Sequence, residues 1–177
     1  MSTRILQNRD IYRTLVLEHM LRAERSLRIA TANLKDMHIE HRRRYRSVLC
    51  DFRRLVDAGV DVRILHGAVP SENYLHSLKE ADLIGREGFT MRRCPRVHMK
   101  CVVVDDLWTF VGSANLTGAG MGVKSDDRRN FELGILTRDD AMRDGVSALF
   151  ADIWEGHACE SCGRKAHCPV PLEEPDF

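Results

Sequence analysis

The chain has 177 residues, of which 44% are hydrophobic and 30% are charged. These proportions are ordinary for a soluble globular protein, and this length predicts one domain with a sizeable core. The formal net charge of +1 excludes a global field that would draw the protein towards nucleic acid. The sequence has no apolar run of about 18 residues or more and no secretory signal near its start, which predicts a cytoplasmic protein without a membrane-spanning helix.

The hydrophobic periodicity predicts helices and strands that alternate along the chain. The first half is predicted to contain helices over 10–25, 41–58 and 71–84, with strands over 27–34 and 60–65 between them. The second half is predicted to contain strands over 90–94, 98–105, 107–112 and 130–136, followed by a helix from 137 to 154. This alternation predicts an α/β fold in which a mixed sheet is flanked by helices.

Residues suited to phosphodiester chemistry concentrate around one predicted β-hairpin. They are His98, Lys100, Asp105, Gly112, Ser113 and Asn115. Side chains alternate along a strand, so His98 and Lys100 share one face and lie roughly 6 to 7 Å apart, close enough to flank one phosphate. The hairpin returns Ser113 and Asn115 to the start of its first strand. An imidazole, a fixed cation and two short polar donors are thereby combined, and these groups serve to break a phosphodiester.

The spacing His-x-Lys-x4-Asp followed by Gly-Ser-x-Asn resembles the signature of the phospholipase D superfamily. The resemblance covers residues 10–154 and implies a phospholipase D-like catalytic domain over residues 1–155. It implies that His98, Lys100, Ser113 and Asn115 are catalytic. It also implies that Lys100, Ser113 and Asn115 bind the substrate phosphate, in place of a catalytic metal or other cofactor.

Two acids are further catalytic candidates. Asp105 belongs to the family signature, but alternation places it on the face opposite His98, at a turn where a structural role is also expected. Glu132 lies in the otherwise apolar predicted strand over 130–136, where an acid needs a partner. The family carries a glutamate in a strand after Gly-Ser-x-Asn, so Glu132 is predicted to orient the catalytic histidine. The alternative for Glu132 is a solvent-facing residue on an edge strand.

The chain carries only one copy of the motif, whereas the resemblance implies an active site built from two. In the family, one histidine attacks phosphorus and forms a phosphohistidine, and the other protonates the leaving oxygen. The remaining candidates His38, His41, His66 and His76 lack both a lysine two residues later and a following Gly-Ser-x-Asn. We therefore expect a homodimer whose two-fold axis passes through one shared active site.

Arginine outnumbers lysine 22 to 5, and its planar guanidinium suits bidentate contact with phosphate. One cluster within 13 residues consists of Arg42, Arg43, Arg44, Arg46, Arg53 and Arg54. The solvated face of the predicted helix over 41–58 explains that cluster equally well. Arg92, Arg93 and Arg96 lead directly into the motif, and Arg93 and Arg96 are predicted to bind substrate.

The end of the chain, residues 156–177, is predicted to be a small tail rich in Cys and His. A structural zinc site formed by His157, Cys159, Cys162 and Cys168 is the favoured interpretation. Cys94 or Cys101 as a fourth thiolate ligand, an iron–sulfur cluster, and a redox-active or frayed tail are the alternatives.

These patterns define the type of reaction better than the substrate. The leading hypothesis is a nuclease that hydrolyses DNA or RNA, because of the clustered arginines and the likeness to small single-motif nucleases of the family. A phospholipase acting on phospholipid head groups is the second hypothesis. A nucleic-acid-binding module with an inactive site is the third.

Overall fold

The computed structural model describes residues 3–41, 44–164 and 168. Its strands are β1 (Thr3–Gln7), β2 (Ser26–Thr31), β3 (His38–His41), β4 (Arg44–Ser47), β5 (Asp61–His66), β6 (Phe89–Arg93), β7 (Cys101–Val104), β8 (Trp108–Gly112) and β9 (Leu133–Thr137). Its helices are a wide-turned π-helix Ile11–His19, α1 (Val48–Asp57), α2 (Glu72–Glu80) and α3 (Asp140–Trp154), with short 3-10 turns at Met20–Arg22 and His157–Cys159.

The centre of the fold is a 7-stranded mixed sheet with the strand order β1-β9-β8-β7-β2-β5-β6. Strands β2, β5 and β6 are parallel, whereas β7, β8, β9 and β1 follow one another antiparallel. As a result, β1, β2 and β8 end on the side of the sheet where β7 and β9 begin. We call this side the His98 edge, because the chain passes through His98 just before β7. The predicted α/β mixed sheet flanked by helices is confirmed.

The two faces of the sheet bury separate apolar clusters, as the alternation of side chains requires. Ile29, Ile64 and Val102 belong to the larger cluster, which the π-helix, α1 and α2 cover. Their strand neighbours Ala30, Leu65 and Cys101 face the smaller cluster, which includes Phe150 and Trp154 of α3.

Part of the face that carries α3 is left exposed. Ile5, Ile135 and Val111 are cross-strand neighbours on β1, β9 and β8, and they remain 66%, 39% and 36% exposed. Leu133 lies two residues before Ile135 on the same face and is 55% exposed. We call these four residues the apolar strip.

The helix predicted over 41–58 is wrong at its start, and three strands, β1, β3 and β4, were missed. That helix begins only at Val48, because Ser47 caps it by accepting a hydrogen bond from the Leu49 amide at 3.1 Å. The preceding residues form the hairpin of β3 and β4. Strand β1 pairs antiparallel with β9.

A buried carboxylate holds that hairpin to α1. Asp51 is only 1% exposed and accepts hydrogen bonds from Arg46 at 2.8 Å and His41 at 3.1 Å. These contacts give Arg46 a structural role instead of a place on a solvated helix face. Arg42 and Arg43 of the predicted cluster lie outside the described residues.

Across the described part of the chain, no helix combines the length and apolar character needed to span a bilayer.

Candidate active site

His98 and Lys100 lie in an extended segment that leads into β7. The strand begins at Cys101 and not at His98 as predicted, although the Lys100 carbonyl still accepts a hydrogen bond from Gly112 at 3.1 Å. The Lys100 ammonium lies 3.3 Å from Nδ1 and 3.4 Å from Nε2 of His98, and it donates to the His98 carbonyl at 2.6 Å. The predicted proximity of these two side chains is confirmed.

Ser113 is placed by the close approach of β8 and β9. A Cβ atom on Gly112 would lie 2.6 Å from the Leu133 carbonyl oxygen and 2.8 Å from the Phe110 ring, so only glycine allows this approach. Ser113 then donates its amide to the Leu133 carbonyl at 3.0 Å, and its Oγ accepts from the Leu133 amide at 3.1 Å. Glycine at position 112 therefore allows the close contact between β8 and β9 that holds Ser113 against Leu133.

Glu132 is the main partner of this serine. The Ser113 hydroxyl donates to the Glu132 carboxylate, which also accepts from the side-chain Nδ2 of Asn130 at 3.0 Å. The sequence prediction paired Glu132 with His98. In the described residues the hydrogen-bond partners of its carboxylate are Ser113 and Asn130 instead, because Glu132 immediately precedes β9 and β9 pairs with β8.

Asn115 is fixed by the end of β2. Its Oδ1 accepts hydrogen bonds from the Asn33 amide at 3.0 Å and from the Thr31 hydroxyl at 3.3 Å. Because Oδ1 is used as the acceptor, the Nδ2 group is the part of this amide that can donate to an anion.

Asp105 lies at the opposite end of β7 from His98. Its carboxylate accepts backbone hydrogen bonds from Glu24 at 3.1 Å, Arg25 at 2.7 Å and Ser26 at 3.0 Å. It therefore holds the entry to β2 against the hairpin turn. The catalytic assignment of Asp105 is not supported by this placement, and the structural role that alternation suggested agrees with it.

Arg93 and Arg96 differ in their relation to the motif. Arg93 is on β6, and two strands, β5 and β2, separate β6 from β7. Arg96 lies near the tail, where a hydrogen bond to the Cys162 thiol raises the pKa of the Arg96 guanidinium. Arg93 thus lies three strands away from β7 in the sheet order and Arg96 faces the tail, so their role in substrate binding stays a prediction.

The predicted zinc ligands are not assembled. In the described residues, no group of three or more His, Cys, Asp or Glu side chains is arranged to hold a metal ion. His157 instead faces the Asp152 carboxylate at 3.5 Å. Cys159 and Cys162 line one pocket of about 290 Å³ together with Cys94, which was one of the alternative ligands.

His98, Lys100 and Ser113 surround one surface pocket of about 430 Å³. Its other walls are apolar and include Met99, Val111, Val146 and Leu149. His98 and Ser113 are exposed, so a single chain would contact a phosphate bound here from one side only.

Sequence reasoning missed Asn8, whose side chain accepts from the backbone amide of Glu132 at 3.0 Å. No signal indicated it, since β1 was itself unrecognised.

The comparison with protein families identifies the class. Residues 16–154 match the family model described as cardiolipin synthase, PLD-like domain. The chain therefore belongs to the phospholipase D superfamily of phosphodiesterases.

Among curated proteins, the chain is similar to cardiolipin synthase A of Pseudomonas putida (strain W619), with 34% identity over 113 residues. That match takes in 62% of this chain and 22% of the relative, so the chain spans less than a quarter of the relative's length.

Solved structures share the fold at low identity. Nuc from Salmonella typhimurium, a phospholipase D family member, superposes with a TM-score of 0.63 at 17% identity, over 87% of this chain and 94% of Nuc. NucT from Helicobacter pylori gives a TM-score of 0.62 at 15% identity, over 87% of this chain and 97% of NucT. The archaeal chromatin protein TrmBL2 gives 0.57 at 16% identity, over 88% of this chain and 52% of TrmBL2.

Proposed function

We propose that this protein is a nuclease that hydrolyses DNA or RNA phosphodiesters in the cytoplasm, at a site shared by two copies of the chain. The observation that carries the proposal is the grouping of His98, Lys100 and Ser113 around one open pocket. Asn115 is held on the same edge of the sheet by the end of β2. An imidazole beside an ammonium group and short donors suits attack on an anionic phosphorus centre.

The reaction has two steps. In the first, a ring nitrogen of His98 donates its electron pair to phosphorus, the bond from phosphorus to the leaving oxygen breaks, and a second imidazole protonates that oxygen. In the second, the same imidazole removes a proton from water, which attacks phosphorus and displaces His98. Lys100 and the Asn115 amide stabilise the extra negative charge on the phosphoryl oxygens in both steps.

The second imidazole comes from another copy of this chain in our proposal. The apolar strip borders the active site, since Leu133 bonds Ser113 directly and Val111 lines the catalytic pocket. Exposed apolar side chains grouped beside an incomplete site are typical of a surface that another subunit covers. Two copies related by a two-fold axis would bury the strip and bring the two motifs together.

Nucleic acid is the favoured substrate because Arg9, Lys124 and Arg128, which form no salt bridge among the described residues, line a pocket on the same edge of the sheet as the motif. The likeness to TrmBL2, whose structure is reported to show a novel mode of DNA binding, adds weaker support.

A lipid phosphodiesterase is the second candidate. The apolar walls of the catalytic pocket, among them Val146 and Leu149, favour it because an acyl chain or lipid surface requires apolar contact. The similarity to a cardiolipin synthase points the same way.

Hydrolysis assays on chelator-treated protein separate these functions. The substrates are plasmid, single-stranded DNA, RNA, vesicles containing cardiolipin, and the small diester bis(p-nitrophenyl) phosphate. We expect cleavage of nucleic acid and of the small diester by wild type, and loss of both in His98→Asn. His76→Asn is the matched control, because His76 is exposed on α2 and pairs with Glu80. Turnover in His98→Asn equal to wild type would show that the mechanism is wrong, and cleavage of vesicles alone would favour the lipid function.

We also propose that the tail binds one structural zinc ion, with Cys94 in place of His157 beside Cys159, Cys162 and Cys168. The shared pocket of Cys94, Cys159 and Cys162 supports this choice. Elemental analysis of purified protein should give near-stoichiometric zinc that falls in Cys94→Ser and stays in His157→Ala. Zinc below about a tenth of an equivalent in wild type would contradict a structural site.

A further inference from the structure

A second surface pocket, separate from the one lined by His98, lies on the His98 edge. It has a volume of about 400 Å³, and its walls include Arg9, Tyr45, Lys124 and Arg128. Tyr45 is 69% exposed on β4, so its ring is not held there by burial in the core. We call this pocket the basic pocket.

The basic pocket is connected to the candidate active site by hydrogen bonds. Arg9 follows Asn8, and the Asn8 side chain accepts from the amide of Glu132 at 3.0 Å. The carboxylate of Glu132 in turn accepts from the Ser113 hydroxyl. A ligand bound at Arg9 would therefore lie beside the residues that position the catalytic serine.

Gly122 brings the loop that carries Lys124 and Arg128 against Arg9. Its φ is +72°, and a Cβ atom there would lie 2.3 Å from the Asn8 carbonyl oxygen and 3.0 Å from the Arg9 Cα. Only glycine permits both the backbone conformation and this contact. The cations of the pocket thus come from distant parts of the sequence and are held together by backbone packing.

The charge of the basic pocket is available to an anion. Among the described residues, no salt bridge joins Arg9, Lys124 or Arg128 to an acid. The acids of the same loop have other partners. Asp126 pairs with Arg129, whereas the pKa of the Asp127 carboxyl is lowered first by a hydrogen bond from Ser125 and also by the nearby charge of Arg128.

Two other acids, Asp36 and Glu40, lie close to the pocket. Asp36 faces His38 at 3.6 Å but also accepts hydrogen bonds from Ser47 at 2.7 Å and Ser77 at 2.6 Å. Glu40 is the cross-strand partner of Tyr45. The three cations are therefore without a salt bridge among the described residues, and the charges of Glu40 and Asp127 lie near Arg9 and Arg128.

We propose that the basic pocket is a substrate subsite for single-stranded nucleic acid, with a backbone phosphate bound by Arg9, Lys124 and Arg128 and an unpaired base stacked on Tyr45. Cations that follow the backbone beside an exposed aromatic ring are typical of single-strand binding. The bases of a duplex are stacked on each other, so Tyr45 favours an unpaired strand. The inference rests on the proposed nuclease function and specifies the strandedness of its substrate.

The test measures binding without cleavage, using the full chain with His98→Asn as the parent. Fluorescence anisotropy of a short labelled single-stranded DNA reports the affinity, and the same DNA as a duplex is the second probe. Tyr45→Ala should weaken single-strand binding at least about five-fold, the lower limit for loss of one stacked base. Tyr45→Phe keeps the ring and should bind as the parent does.

Charge reversal tests the phosphate contact. Lys124→Glu should weaken binding and reduce the slope of log affinity against log salt by about one. Lys79→Glu is the matched control, because Lys79 is an exposed lysine near the end of α2, and it should leave the affinity unchanged. Thermal melts verify that each variant is folded.

Three results would overturn the proposed subsite. The first is that Tyr45→Ala and Lys124→Glu both bind single-stranded DNA within about twofold of the parent. The second is that Tyr45→Ala weakens binding of the duplex as much as binding of the single strand, and the third is that the protein binds only vesicles of anionic phospholipid. Failure of the proposed function is distinguishable, because it would appear as absent hydrolysis of bis(p-nitrophenyl) phosphate by wild type, whatever the binding result.

Discussion

The Ser113 hydroxyl donates a hydrogen bond to the Glu132 carboxylate, and this contact joins the end of β8 to the start of β9. A hydroxyl has one proton to donate. That proton is directed to Glu132. While it stays there, Ser113 can only accept a hydrogen bond from a protonated group. To donate to a phosphate oxygen, Ser113 must first give up its hydrogen bond to Glu132. We therefore expect Glu132 to act on the proposed reaction through the position and polarity of the serine.

Removal of the Glu132 carboxylate should slow catalysis without unfolding the protein. We expect Glu132→Ala to lower kcat about tenfold or more on bis(p-nitrophenyl) phosphate, since a misplaced catalytic group loses alignment with the substrate. Ser113→Ala combined with Glu132→Ala should be little worse than the more damaging single variant, because the two residues act as one unit. Additive losses in this double-mutant cycle would separate their roles. Glu18→Ala, an exposed acid on the π-helix, is the control.

Replacement of Asp105 should destabilise the fold and leave the chemistry intact. Its carboxylate accepts backbone hydrogen bonds from Glu24, Arg25 and Ser26, and loss of charge-assisted bonds costs about 2 kcal/mol. Denaturant unfolding of Asp105→Ala measures this loss, and kcat of the folded variant should match wild type. If kcat falls strongly while the unfolding free energy is unchanged, Asp105 is a catalytic residue after all.

Asp106→Ala is a closely matched control for that experiment. Asp105 and Asp106 adopt similar left-handed conformations, with φ of 57° and 53°, so alanine adds the same backbone strain at either position. Within the described residues, the ion pair of Asp106 is with Arg28, and both side chains of that pair are partly exposed. Such a pair contributes less than about 1 kcal/mol.

A charge in the apolar strip should dissociate the proposed dimer. Ile135→Asp would place a carboxylate between Ile5 and Val111, where a second chain is expected to bury it. Sedimentation equilibrium should show a dimer for wild type and a monomer for this variant, with hydrolysis lost in parallel. Leu107→Asp is the control and should leave the dimer intact. Leu107 is 38% exposed, close to the 39% of Ile135, but it lies at the end of the strands opposite the His98 edge. A monomeric wild-type protein with full activity would contradict the shared site.

Acid should weaken the packing of His19 against Trp108, whose ring centroids lie 4.5 Å apart. Burial lowers the pKa of His19, with Arg4 and Arg22 adding to the effect and Glu18 opposing it. A folded-state pKa below the unfolded value means that the unfolded chain binds more protons in this range. The stability gained from neutral His19 is therefore present above the unfolded pKa of about 6.5 and is lost as pH falls below it.

The matching experiment compares unfolding free energies at about pH 7.5 and pH 5. His19→Gln should lose less stability than wild type over this interval, because glutamine does not titrate. His76→Gln changes an exposed histidine and should keep the wild-type difference. Equal pH dependence in wild type and His19→Gln would remove His19 as a source of acid sensitivity.

Local patterns were sufficient for much of the fold. The alternation around Val102 and Cys101 gave the two faces of β7 correctly, since the alternation of side chains along a strand does not depend on distant residues. The apolar spacing before Gly59 likewise predicted α1 and its end. The predicted helix also took in residues 41–47, where Tyr45 is the one apolar position. It failed there because Ser47 caps α1 at its start and the buried Asp51 holds the β3–β4 hairpin through His41 and Arg46, contacts that periodicity does not describe.

The amino-acid sequence by itself determined the family, the candidate site residues and the alternation of helices and strands, because motif spacing and side-chain periodicity are local properties. Only the tertiary structure decided which partner each polar group has. Glu132 accepts a hydrogen bond from Ser113, and Asp105 accepts hydrogen bonds from the backbone just before β2. Arg9 packs against the loop that carries Lys124. Each of these contacts joins segments that are distant in the sequence, and the order and direction of the strands bring them together.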